Sequence, residues 1–64
     1  MMDMDAFREL AKEIMAQGYD ESTALHYASL IGDVPMADEA GNVVVQDERG
    51  REVARLKPLS IFLG

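Results

Sequence analysis

Residues 42–57, NVVVQDERGREVARLK, restrict the fold of this chain more than any other stretch. Val43, Val44 and Val45 are consecutive β-branched residues, stiff at χ1 and better suited to a pleated strand than to a helix. Asp47-Glu48-Arg49-Gly50 then reads as a turn. Aspartate can accept backbone amides at the first turn position, and glycine takes the left-handed conformation without steric cost, a pattern that suits a type I turn with a G1 bulge. With Gly50 as the bulge residue, the expected register sets Asp47 opposite Arg51, Gln46 opposite Glu52, Val45 opposite Val53, Val44 opposite Ala54 and Val43 opposite Arg55. One face then carries Val43, Val45 and Val53, and the other Val44, Ala54 and Leu56. Both faces hold apolar residues, and an isolated hairpin is marginal in water, so this hairpin needs something to pack on.

The preceding residues supply two helices. Over 3–17, Asp3 is placed to cap the first helix, Met2 and Phe7 occupy staple positions, and Phe7, Leu10, Ala11, Ile14 and Met15 recur as one stripe. Glu9, Lys12, Glu13 and Ala16 fall on the opposite side, and Gly18 is the expected stop. Over 20–31, Asp20 is the expected N-cap, and Ala24, Ala28 and Ile31 share a face. Leu25 and Tyr27 flank that face and Leu30 lies further round, an apolar arc wider than one neighbouring helix covers. Gly32 closes the helix. Residues 33–41, which include Pro35, read as a connecting loop with Val34 and Met36 as anchors. Pro58 interrupts the second strand, and residues 59–63, LSIFL, form an apolar arm. That arm has two readings: packing back over the helices as a third strand or plug, or pairing with another chain.

The segment LAKEIMAQGYDESTALHYASLIG is locally similar to ubiquitin-associated domains, in which a helix, a Met-Gly-Phe or Met-Gly-Tyr loop and a second helix with an inward Ala-Leu are found. Gly18-Tyr19 and Ala24-Leu25 carry the resemblance, which spans about a third of the chain. Gln17 stands at the position of the loop methionine, and Pro35 and the hairpin take the place of the third helix, which builds part of that family's binding surface. The resemblance therefore implies two short helices packed in a shared way, and no family function is carried over.

A chain of 64 residues has room for one domain and buries only about 60% of its unfolded surface. Natural chains of this size often add disulfides, a metal or oligomerisation, and here there is no cysteine and a single histidine. Oligomerisation is the aid that remains, so a homodimer sharing the hairpin edge or the C-terminal arm is expected. The net charge of −6 is repelled by phosphate backbones and anionic lipid, which disfavours nucleic acid and membranes and accommodates a larger or basic protein partner. With neither a signal-peptide pattern nor an apolar run of membrane-spanning length, the expected location is cytoplasmic.

Candidate chemistry is thin. His26 lies four residues after Ser22 and three before Ser29, so an imidazole and a hydroxyl share one helical face, but no orienting acid or oxyanion site accompanies them. Asp3 with Asp5, or Asp33, Asp38, Glu39 and Asn42, lack the spacing of a calcium loop, and one histidine without cysteine cannot supply the usual zinc ligands. No glycine-rich turn leads into Lys-Ser or Lys-Thr at a helix start. As a DNA-reading helix, DESTALHYASLIGD fails because it contains no Lys or Arg.

These observations define the expectations. The fold class is α+β: a two-helix hairpin, an antiparallel β-hairpin and room for a short C-terminal strand. The function is that of a non-enzymatic interaction or regulatory module, an adaptor, inhibitor or antitoxin-like protein acting through the apolar arm and an acidic helical face, with no cofactor, metal or catalytic residue. Its candidate interface is Leu56, Leu59, Ile61, Phe62 and Leu63, joined by Leu30 and Tyr27. The second expectation is a small-ligand binder or minor enzyme with a site at a dimer interface near Tyr19, His26 and Tyr27.

Overall fold

Helix α1, Met4–Ala16, turns its apolar stripe inward and buries Leu10, Ala11 and Ile14. The computed structural model describes residues 4–32 and 36–62; the staple Met2, the cap Asp3, the loop residues Asp33, Val34 and Pro35, and Leu63 of the arm lie outside them. The C-terminal turn of α1 tightens through amide bonds from Gln17 to Ile14 O and from Gly18 to Met15 O, at 3.0 and 2.9 Å. Gly18 has φ of 109°, a conformation that a side chain would strain. The chain reverses there and enters α2, Glu21–Ile31, capped by Asp20, whose carboxylate accepts the Thr23 amide at 2.8 Å. Ala24, Ala28 and Ile31 are the buried residues of α2. Ala11, Ala24 and Ala28 are small enough to let the two helices approach closely.

The fold is α+β, with a three-stranded antiparallel sheet following the two helices. The strands are β1, Met36–Ala37, β2, Val43–Gln46, and β3, Glu52–Leu56, in the order β1-β2-β3. Part of the span read from the sequence as a loop is therefore strand. Met36 pairs with Val44 and Ala37 with Val43, and Met36 is 51% exposed, so it does not anchor the chain in the core.

The first strand exists because the chain uses one turn twice. Asp38-Glu39-Ala40-Gly41-Asn42 and Asp47-Glu48-Arg49-Gly50-Arg51 share the pattern Asp-Glu-x-Gly-x. Their hydrogen bonds also match. Each Asp amide donates to the carbonyl four residues on, each Gly amide donates to the Asp carbonyl, and each Asp Oδ1 accepts the amides two and four residues on, all within 2.8–3.0 Å. Gly41 and Gly50 take φ of 88° and 80°. Asp38 adds a bond from Asn42 Nδ2 at 3.1 Å and a contact with Arg55 Nη1 at 3.4 Å. Burial pushes its carboxyl up, but the Asn42 and Ala40 bonds and the Arg55 charge outweigh that and hold it below the usual range. Asp47→Ala is expected to cost about 1 kcal/mol by uncapping its turn. Asp38→Ala should cost more; urea unfolding of the two variants side by side checks the order.

The register near the second turn begins as expected, with Gln46 opposite Glu52, and then shifts by a residue between Val45 and Gln46. Val45 pairs with Ala54, Val44 with Arg55 and Val43 with Leu56. The residue left over is Val53, which is 43% exposed. This bulge corrects the expected faces, because it turns Ala54 and Leu56 to the side of Val43 and Val45. The sheet can then cover the helices with one apolar face while Val44 and Arg55 occupy the other.

The core joins Leu10, Ala11 and Ile14 of α1, Ala24, Ala28 and Ile31 of α2, Val43 and Val45 of β2, Leu56 of β3, and Leu59. The residues after β3 form a short 3-10 helix, Ser60–Phe62, rather than a strand. Two side chains four residues apart, Glu13 on α1 and Gln17 just past its end, fasten this segment. Gln17 brackets Lys57, accepting its amide through Oε1 at 2.8 Å and donating Nε2 to its carbonyl at 3.0 Å. Glu13 Oε1 accepts the Ser60 amide and hydroxyl at 2.7 and 2.6 Å, and Oε2 accepts the Ile61 amide at 3.0 Å. The helix side taken as solvent-facing in the sequence is thus, at Glu13, a docking point for the C-terminal segment.

Candidate functional site

Of the two readings of the apolar arm, packing back within the chain is the one found, as a plug rather than a strand, and the residues named as a candidate interface are mostly in or against the chain's own core. Leu56 and Leu59 are each 1% exposed, while Ile61 and Phe62 are half-buried and pack against the same cluster. Leu30 and Tyr27 are likewise half-buried at its margin. The arm is internal because Leu59 fills the core while Glu13 and Gln17 satisfy the backbone around it, as an added strand would have done.

The tyrosines of the second expected site close on each other. Tyr19 and Tyr27 meet edge to face, with ring centroids 5.5 Å apart at 73°. His26 is exposed, 6.1 Å from the Tyr27 ring centroid. The Ser29 hydroxyl donates to the His26 carbonyl at 2.7 Å. Ser29 is therefore committed to the backbone instead of the imidazole, an ordinary way for a mid-helix serine to satisfy itself. Among the described residues, no three His, Cys, Asp or Glu side chains are gathered to hold a metal.

A surface that the sequence does not single out lies between the two helices. A groove of about 280 Å³ is lined by Arg8, Ala11, Lys12 and Met15 of α1 and by Glu21 and Leu25 of α2. Ala11, Met15 and Leu25 are its apolar members, and Leu25 is 39% exposed. The charges are segregated, with Arg8 and Lys12 on α1 and Glu21 on α2. Lys12 also reaches Glu9 at 3.7 Å, an exposed pair that holds it weakly. One signal pointed here, namely the apolar arc of α2, too wide for a single neighbour, with Leu25 at its edge. The rims could not be read without the relative rotation of the two helices.

No helix among the described residues is long and apolar enough to cross a membrane. Comparison with protein-family models, with curated proteins and with solved structures found no match.

Proposed function

We propose that this chain is a non-enzymatic interaction module, an adaptor, inhibitor or antitoxin-like regulator, that acts in the cytoplasm as a homodimer. Its dimer contact is the outer groove of α1 and α2 rather than the C-terminal arm. The observation that carries this reading is the apolar groove with opposite charges on its two helices. A two-fold contact sets the same patch against itself, so Arg8 and Lys12 of one copy meet Glu21 of the other, and the exposed Leu25 side chains meet near the axis. Met15 is flexible enough to adjust to that contact. The remaining surface keeps the net negative charge and is the part offered to a larger, basic partner. A ligand site at Tyr19, His26 and Tyr27 is less well supported, since the two tyrosines already pack edge to face against each other.

Light scattering across a dilution series tests the reading. A concentration-dependent dimer is expected, weakened by salt because its charged rims are exposed. Leu25→Asp should raise the dissociation constant at least about tenfold without unfolding the monomer, since it replaces an apolar contact with an unpaired charge. A monomer at every concentration, or a dimer indifferent to Leu25→Asp, would reject the helix-face interface.

A further inference from the structure

We infer that the trough between α2 and the β2–β3 turn binds a small monocarboxylate carrying a short apolar tail. A cavity of about 290 Å³ is lined there by His26 and Leu30 from α2 and by Asp47, Glu48, Arg49 and Arg51 from the turn. That is near the lower limit for small-molecule sites. Arg55 is held by Glu52 and Asp38, at 2.6 and 3.4 Å. The Arg49 and Arg51 guanidiniums, by contrast, have no ion-pair or hydrogen-bond partner among the described residues. Their backbone amides occupy Asp47 Oδ1 at 2.8 and 3.0 Å, so that oxygen is turned to the peptide chain. Two planar guanidiniums beside one cavity suit a carboxylate, whose two oxygens match the fork of an arginine.

The tail follows from what adjoins. A second cavity of about 160 Å³ shares Leu30 and Asp47 with the first and is lined further by Ile31, Met36, Val44 and Gln46. A carboxylate at the arginines therefore has a path over Leu30 into the cavity that Met36 and Val44 also line. Asp47 and Glu48 stand against a second negative charge, which favours a monoanion over phosphate.

Octanoate is the probe, titrated into the full chain and followed by amide NMR shifts, with acetate, octylammonium and inorganic phosphate in parallel. Saturable shifts are expected at His26, Leu30, Arg49 and Arg51, with an affinity of roughly millimolar order for a ligand of this size. Acetate should bind at least about tenfold more weakly, and the double variant Arg49→Gln/Arg51→Gln should lose at least about tenfold in octanoate affinity. Its melting curve should match the parent, because the turn uses the backbone amides and not the guanidiniums. Octanoate binding should persist in Leu25→Asp, which separates this site from the dimer contact. The inference fails if octanoate does not saturate, if octylammonium or phosphate binds as well, or if the double variant binds unchanged.

Discussion

Leu59→Ala is expected to destabilise the protein by about 2–5 kcal/mol, the range for truncating a buried leucine whose cavity cannot fully collapse. Leu59 is 1% exposed and belongs to the same cluster as Leu10 and Ile14 of α1 and Leu56 of β3. Pro58 on one side and the 3-10 helix on the other restrict how far the backbone can move to fill the void. A domain of this size has a total stability on the order of 3–10 kcal/mol, so the variant loses a large share of it. Urea unfolding measures the loss directly. Val53→Ala serves as the comparison: the bulged Val53 is 43% exposed, and its truncation should change stability by less than about 0.5 kcal/mol. Equal losses at the two positions would contradict the internal placement of the C-terminal segment.

Glu13→Ala should cost about 2 kcal/mol, because it removes a charged acceptor of three hydrogen bonds and leaves the first amides of the 3-10 helix uncapped. Glu13→Gln keeps one acceptor oxygen and should fall between the parent and the alanine variant. Burial pushes the Glu13 carboxyl up, and the Ser60 hydroxyl together with the Ser60 and Ile61 amides outweighs it, so the group sits below the ordinary glutamate range. A carboxyl that binds its proton less readily in the folded chain than in the unfolded one stabilises the fold above its unfolded pKa. That contribution disappears as pH falls through the lower folded value. Hydrogen bonding from Thr23 lowers Asp20 in the same direction, and Asp38 follows. Stability should therefore decline as pH drops below about 4.5. The gap between parent and Glu13→Gln in urea midpoints should narrow over the same interval; a gap that widens in acid would reverse the assignment.

Much of the helical half was legible in the sequence, and for local reasons. The stripe through Leu10 and Ile14, the Asp20 cap and the stops at Gly18 and Gly32 depend on neighbours within a turn or two. The strands were legible in kind but not in register. A bulge at Val53 is favourable only because the helices need Ala54 and Leu56 on the side of Val43 and Val45, a demand from outside the strand pair. Two residues are too few to show the alternation of β1, although the repeated Asp-Glu-x-Gly-x turn marked its end in plain letters. Internal packing of the C-terminal segment was one of two readings, and the sequence could not choose between them because the partners, Glu13 and Gln17, are side chains more than three dozen positions away and no pattern in 59–63 points to them. The helix groove was half visible, as Leu25 stood at the edge of an apolar arc wider than one neighbouring helix covers, whereas its charged rims depend on tertiary packing.

The clamp on the C-terminal segment also orders events in time. Each turn of the sheet closes over four residues, but Gln17 meets Lys57 across 40 and Glu13 meets Ser60 across 47. Closing a longer loop costs more chain entropy, so local turns and helices can form well before this contact is made. Interactions absent from the folding transition state act on the unfolding rate. Weakening Glu13 or Gln17 then leaves the refolding rate nearly unchanged and shortens the lifetime of the folded chain, and the resistance of this small fold to proteolysis depends on how often that last segment lets go.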